Sequence, residues 1–251
     1  MGVSMEDSSE SLKKFLTQVY EETLCGIYSG SLHPGGLNLT RRVGELAEIT
    51  GESIVLDVAS GMGASAISIA KEFGCPVIGI DLSKRFVRES KFRASEILTY
   101  GDSLDFLVGD AEFLPFKDSS FNVVLCECSF NLFPDKRKVL QEIYRILKVG
   151  GKFVLTDFVL KKDLPKHQRN KFNFAFCIAG AETSEKIVKW MEEVNFTDIY
   201  VEDHSDKLLS FGIQLLLSSS DFVSENLENL ENLFYEDAFR YVLIAAVKSS
   251  K

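Results

Sequence analysis

The sequence predicts a doubly wound α/β domain built on a mostly parallel sheet, and three observations predict it. Between Ser53 and Phe158, short apolar runs rich in β-branched residues alternate with longer stretches of helical periodicity. That is the rhythm of βαβ units joined by right-handed crossovers. The first run ends in a glycine-rich turn, Asp57-Val58-Ala59-Ser60-Gly61-Met62-Gly63. Acidic residues close the first three runs, at Asp57, Asp81 and Asp110, which puts all three on the carboxyl edge of one sheet.

The elements follow in order. Residues 8–29 carry a helical pattern around Leu12, Phe15, Leu16 and Val19, and the segment Ser31 to Gly36 breaks it. Leu37 to Ile49 is helical again, with Leu39, Val43, Leu46 and Ala47 on one stripe and Gly51 as its stop. Ser53 to Val58 reads as a strand, Ala64 to Phe73 as a helix, Pro76 to Ile80 as a strand and Ser83 to Leu98 as a helix. Leu104 to Val108 and Phe121 to Cys126 are the third and fourth strands. Lys136 to Leu147 is a helix with Val139, Leu140, Ile143 and Leu147 inward, ended by Gly150-Gly151, and Lys152 to Phe158 is the fifth strand. Beyond these lie a short helix (Ser184 to Val194), a strand (Asp198 to Glu202), an amphipathic helical stretch (Leu208 to Phe234) and a closing strand (Phe239 to Val247). There is no internal repeat and no low-complexity linker. The expected plan is therefore one domain: a helical cap over 1–50, a core over 51–160, and a remainder over 161–251 that contains a lid at 204–236 and the closing strand at 239–247.

Composition narrows the function classes. Of 251 residues 45% are hydrophobic, enough for one substantial core. The charge of −9, from 28 basic and 37 acidic residues, repels phosphate backbones and argues against a nucleic-acid partner. Short basic groups such as Lys161-Lys162 and Lys166 to Lys171 read as solvated faces. No apolar run is long enough to span a bilayer, and the acidic, polar start from Met1 to Glu10 is unlike a signal peptide. Glu6 stands where a myristoylation signal needs Ser or Thr. Five cysteines, an odd number, fit reduced thiols in a cytoplasmic protein better than a disulfide framework. The sequence carries no signal for an oligomeric state.

The chemistry lies in the turns. Glycines at a strand-to-helix turn let a ligand approach the backbone, and the helix beyond offers free N–H groups. Taken alone, Gly61-x-Gly63-x-x-Ala66 with Asp81 also fits an NAD-linked oxidoreductase, which leaves Asp110 and Gly150-Gly151 unexplained. An acid at Asp81 can accept both hydroxyls of a ribose, and one at Asp110 can accept from an adenine amino group. Each acid could instead cap a helix. Cys126 and Cys128 have the period of a strand and would point the same way if the strand continued. His33 opens a Pro-Gly turn, a reading we prefer to that of a general base, and His204 is expected in a solvated loop. Trp190 falls on an apolar stripe and is expected in the core. Cys126-x-Cys128 is too tight for a zinc-ligand pair, and neither a Ser-His-Asp order nor a P-loop is visible.

As a set, Asp57 to Gly63, Asp81, Asp110-Ala111, Leu114-Pro115-Phe116 with Phe121, and Leu140-x-x-Ile143-x-Arg145-Ile146-Leu147-Lys148-x-Gly150-Gly151 resemble the class I S-adenosylmethionine-dependent methyltransferases. The resemblance covers about residues 50–160. It implies a seven-stranded, Rossmann-like sheet with an antiparallel last strand, an enzyme, and S-adenosyl-L-methionine as cofactor. The cofactor residues it implies are Asp57, Ala59, Gly61, Gly63, Asp81, Leu82, Asp110, Ala111 and Glu127. Asp81 would hold the ribose, Asp110 and Ala111 the adenine, and Gly61 and Gly63 the methionine part. A narrower resemblance, to arsenite methyltransferases, lies in Cys128-Ser129-Phe130-Asn131-Leu132-Phe133-Pro134-Asp135-Lys136 and in Cys177-Ile178-Ala179-Gly180-Ala181. It implies that Cys128 and Cys177 hold the acceptor, a trivalent arsenical, since a soft metalloid prefers thiolate sulfur. The sequence departs from that family at Ala66, where its first-helix cysteine would stand, and Cys25 is isolated. The expected partner is a small-molecule methyl acceptor. A quinone, a phenol or another small metabolite is the alternative to an arsenical, and a non-catalytic S-adenosylmethionine-binding protein is the further alternative.

Overall fold

The computed structural model describes residues 9–24, 33–97, 103–161, 177–217 and 238–250. Its core is a seven-stranded sheet: β1 (Val55–Val58), β2 (Val77–Asp81), β3 (Leu104–Val108), β4 (Phe121–Glu127), β5 (Leu147–Leu160), β6 (Phe196–Asp203) and β7 (Phe239–Lys248). The spatial order is β3-β2-β1-β4-β5-β7-β6. The pairs from β3 to β5 are parallel, and β7 runs antiparallel between β5 and β6. The order reverses at β1, so the neighbouring carboxyl tips of β1, β2 and β4 open a crevice of the kind that binds ligands in open α/β sheets.

Alternation along the strands divides the core in two. Val55, Val77, Val123 and Val154 face α2 (Gly36–Leu46) and α3 (Ala64–Phe73), which contribute Leu39, Val43, Ala66, Ile69 and Ala70. Leu56, Ile80, Val124 and Leu155 face α5 (Lys136–Ile146) and α6 (Ser184–Glu193), through Val139, Leu140, Ile143, Ile187 and Met191. Both faces of the parallel strands are therefore covered, which explains why their sequences read as apolar runs without polar alternation. α4 (Lys84–Ile97) packs beside β2 and β3, and α7 (Asp206–Leu217) beside β7. At the N-terminus α1 (Ser9–Val19) runs into a π-helical turn, Tyr20–Leu24.

Several expectations are corrected. The helix that begins at Lys136 stops at Ile146, one residue before the expected Leu147, because Leu147 is already paired with Phe121 as a strand residue. Gly150, with φ of +76°, sits inside β5 in the irregular stretch between Leu147 and Lys152, where the register with β4 shifts. Cys126 and Cys128 do not share a face. The strand ends at Glu127 and Cys128 turns to a left-handed φ of 51°, so Cys126 packs with Leu56 and Leu155 while Cys128 packs with the opposite cluster. The His204 side chain is only 13% exposed and lies 2.9 Å from Glu202, so it is not solvated. Trp190 is half-buried between the cations of Arg137 and Lys186, not in the core. The expected continuation of the lid through 218–234, the basic cluster at 162–171 and Cys25 lie outside the described residues.

Candidate active site

A cavity opens over the carboxyl tips of β1, β2, β3 and β4, roofed by α1 and its π turn. One end of it is built by local backbone geometry. Ala59 and Gly61 adopt left-handed φ values of 58° and 53°, which fold the chain after β1 back towards β2. Gly61 N–H then donates to Asp81 Oδ2 at 2.9 Å, and Ser83 N–H donates to Asp81 Oδ1 at 2.8 Å. Asp110 accepts in the same way from Glu112 N–H at 2.9 Å. A side chain at Gly61 would meet nothing nearby, so this backbone is open to a ligand. Gly63 differs: it does not line the cavity, and a Cβ there would strike Phe106 and Ser90, so it serves the packing of α3 on the sheet.

Four carboxylates line this cavity: Asp57, Asp81, Asp110 and Glu127. Burial, then the nearby charges of Glu127 and Asp81, hold the Asp57 carboxyl well above the usual range. Burial also raises Asp81, although the N–H groups of Ser83 and Gly61 oppose it. Of the five polar side-chain atoms buried without a hydrogen-bond partner among the described residues, three, Asp57 Oδ2, Ser60 Oγ and Glu127 Oε1, belong to residues that line this cavity. Buried polar atoms rarely stay unpaired. A ligand that brings an amine, a diol and positive charge would satisfy them, and S-adenosylmethionine, with an ammonium, a ribose and a sulfonium, has that chemistry.

Leu82 and Ala111 line the same end, beside Asp81 and Asp110. α1 reaches across it: Lys13 Nζ lies 2.8 Å from Asp110 and 2.6 Å from Glu112. Burial pulls this ammonium down, but the two carboxylates outweigh it and leave it raised. Glu21 meets Ser83, and its carbonyl accepts from Arg85 at 2.9 Å.

The other end is assembled from distant segments. Cys128, after β4, and Cys177 both carry left-handed backbone, with φ of 51° and 60°. Such non-glycine conformations persist only where the surroundings hold them, and they concentrate at functional sites. Here Cys128 N–H donates to Thr156 O at 2.6 Å, and Asn131 Nδ2 donates to Cys177 O at 2.8 Å. The Cys177 thiol donates to Cys128 O at 2.9 Å, and Tyr20 Oη meets its sulfur at 3.3 Å. Behind them lies Asp157, fully buried and pinned by Asn131 N at 2.9 Å and Asn131 Nδ2 at 2.9 Å. Burial pushes Asp157 up to about 7. The contact with Cys177, then burial, raises the Cys128 thiol well above its ordinary value. Phe158, Phe211, Leu132 and Phe133 complete apolar walls.

Two site features escaped the sequence reading. His33 does open the turn to α2, but it also lines the cavity, 3.3 Å from Thr40 Oγ1 and 3.7 Å from Glu127. Thr40 in turn donates to Glu127 at 3.0 Å. Tyr20 carries no motif at all. Its position three residues beyond Thr17 and four beyond Leu16, both cavity-lining, is the helical spacing that could have revealed it.

Comparison with known proteins agrees with this geometry. A family model described as a methyltransferase domain matches residues 49–195. The chain belongs to the class I S-adenosylmethionine-dependent methyltransferases. The cavity's carboxylates and open backbone fit S-adenosylmethionine, the cofactor from which that family takes its name. An arsenite methyltransferase of Halobacterium salinarum is 32% identical over 161 residues, covering 62% of this chain and 41% of that one. A sarcosine/dimethylglycine N-methyltransferase of Halorhodospira halochloris is 28% identical over 211 residues, covering 80% of this chain and 74% of that one. The methyltransferase fold is matched by phosphoethanolamine N-methyltransferase 2 of Haemonchus contortus, solved with S-adenosyl-L-methionine, with a TM-score of 0.80 at 21% identity over 95% of this chain and 60% of that one. The chain thus spans about two-fifths of the arsenite enzyme's length and three-fifths of the nematode enzyme's.

Proposed function

We propose that this chain transfers the methyl group of S-adenosylmethionine to a small-molecule acceptor, and that the acceptor is a trivalent arsenical held by Cys128 and Cys177. The observation that carries the acceptor is the pair of thiols, both on left-handed backbone, lining the same cavity as the cofactor carboxylates. The bound cofactor supplies an already activated sulfonium methyl, so the protein's task is placement and exclusion of water. Asp81, Asp110 and Ala111 fix the nucleoside, Asp57 and Glu127 face the cationic part, and Gly61 leaves its backbone clear. Cys128 and Cys177 exchange their thiol protons for bonds to arsenic, each displaced arsenic-bound hydroxyl leaving as water. Tyr20, from the roof, orients the Cys177 sulfur, while Leu132, Phe158 and Phe211 exclude solvent.

The aromatic walls favour a phenol or quinone as the second reading, since apolar surfaces with few polar groups suit such acceptors. A screen with cofactor labelled in the methyl group, against arsenicals, thiols, phenols, quinones and amines, separates the readings. Label on a trivalent arsenical is the expected result. Label on a phenol or quinone replaces the acceptor and keeps the methyltransferase. Tight cofactor binding with no label anywhere marks a non-catalytic binding protein.

A further inference from the structure

Beyond its role towards an acceptor, the thiol end has the form of a metal site. We propose that Cys128, Asp157 and Cys177 bind a single thiophilic divalent cation, zinc or cadmium. The ligand atoms of these three residues lie within 4.8 Å of one another. Tetrahedral zinc, with Zn–S near 2.3 Å and Zn–O near 2.0–2.2 Å, holds its ligand atoms roughly 3.4–3.8 Å apart. Contraction by about an ångström therefore completes the shell. Two thiolates and one carboxylate leave a fourth position free, and two of the three ligands, Cys128 and Cys177, line the cavity. Three protein ligands with one open position is the arrangement of an accessible zinc site rather than a closed structural one.

The ligands are held in advance. Asn131 is the organiser: its backbone N–H and side-chain amide fix both Asp157 oxygens, and the same amide holds the carbonyls of Phe158 and Cys177 at 2.8 Å each. Asp157 Oδ1 also accepts from Phe158 N–H at 2.8 Å, and a carboxylate oxygen accepts about two bonds, so Oδ2, which accepts from Asn131 N–H, is the oxygen that can turn a lone pair to a cation. Such supporting hydrogen bonds orient ligands at metal sites. Electrostatics agrees in direction, because the contact with Cys177 and then burial raise Cys128, burial raises Asp157, and a divalent cation would offset that cost. The other described thiols stand apart: Cys75 packs with Val55 and Val77, and Cys126 with Leu56 and Leu155.

The inference rests on the proposed reading only in taking Cys128 and Cys177 as accessible thiols; the acceptor need not be an arsenical. The test titrates the whole chain with cadmium alone and follows the thiolate-to-cadmium charge-transfer absorption. One equivalent should saturate it. Cys128→Ser and Cys177→Ser should each abolish the band, Asp157→Asn should weaken binding by at least about tenfold, and Cys75→Ser should change nothing. X-ray absorption on the zinc-loaded wild type, which needs no variant, should count two sulfur ligands with the remainder oxygen or nitrogen. Wild-type cadmium affinity in Asp157→Asn, a band that survives Cys177→Ser, or a count of three or four sulfurs overturns the site. A chain that binds cadmium here but methylates no arsenical refutes the proposed acceptor and leaves the metal site standing. A chain that methylates arsenicals but takes no cadmium refutes the metal site alone.

Discussion

The two ends of the cavity are built by opposite means. At the cofactor end two of the four carboxylates, Asp81 and Asp110, are fixed by backbone donors close in sequence: Ser83 and Glu112 lie two residues from the acids they bond, and Gly61 twenty. At the thiol end the contacts cross the chain: Tyr20 to Cys177 spans 157 positions, Cys177 to Cys128 spans 49 and Asn131 to Cys177 spans 46. The first end is a property of turns and survives as long as those turns form. The second is a property of tertiary packing and stores strain at two left-handed cysteines. The ends should therefore respond separately to substitution, and three experiments probe that separation.

The largest effect is expected at Asp157. Its folded-state value, about 7, lies above the ordinary 3.8 because of burial. A raised carboxyl contributes stability that is fully present below the unfolded value and lost as pH rises through the folded one. From acid to pH 8 the wild type should lose up to ~4 kcal/mol relative to Asp157→Asn, which cannot ionise. Urea unfolding of both proteins from pH 5 to pH 8 measures the part of this difference within that window. Parallel curves would remove the buried charge from the account.

Asp81→Ala should come next, weakening cofactor binding by roughly 1.5–3 kcal/mol, the scale of charge-assisted hydrogen bonds lost in a pocket. Cadmium affinity at the thiol end should stay unchanged. Calorimetry that finds equal loss at both ends would show them to be one unit. Lys13→Met should cost least, about 1 kcal/mol or less, since the ammonium is partly solvent-facing and its attraction to Asp110 and Glu112 is screened by salt. Hydrogen exchange over α1 should quicken in that variant and slow again when cofactor binds. An unchanged profile would make the roof fixed structure.

The same contrast explains what the sequence could reveal. Asp57, Asp81 and Asp110 were legible because each closes a strand, and strands are readable from periodicity. The strand β7 was legible from its long apolar run, and its antiparallel direction from the resemblance to the methyltransferase family. Where the reading failed, a tertiary contact outweighed a local signal. The pairing of Leu147 with Phe121 drew into a strand a residue read as the last of a helix, and the turn at Cys128 broke the period shared with Cys126. His33 looked like the start of a turn and is that, but only packing brings Thr40 and Glu127 to its ring. Asp157 gave no signal, because an acid inside a β-branched strand is indistinguishable from an exposed one until β7 covers it.

The central claim is that Cys128 and Cys177 hold the acceptor and leave the cofactor to other residues. The most direct measurement takes Cys128→Ser and Cys177→Ser and determines, in the same preparations, the cofactor Kd and the rate of methyl transfer to a trivalent methylarsenical. The account predicts a Kd within about twofold of wild type in both variants and no detectable transfer in either. Full transfer in both variants would contradict it, and would make the two thiols packing residues at the edge of another acceptor's site.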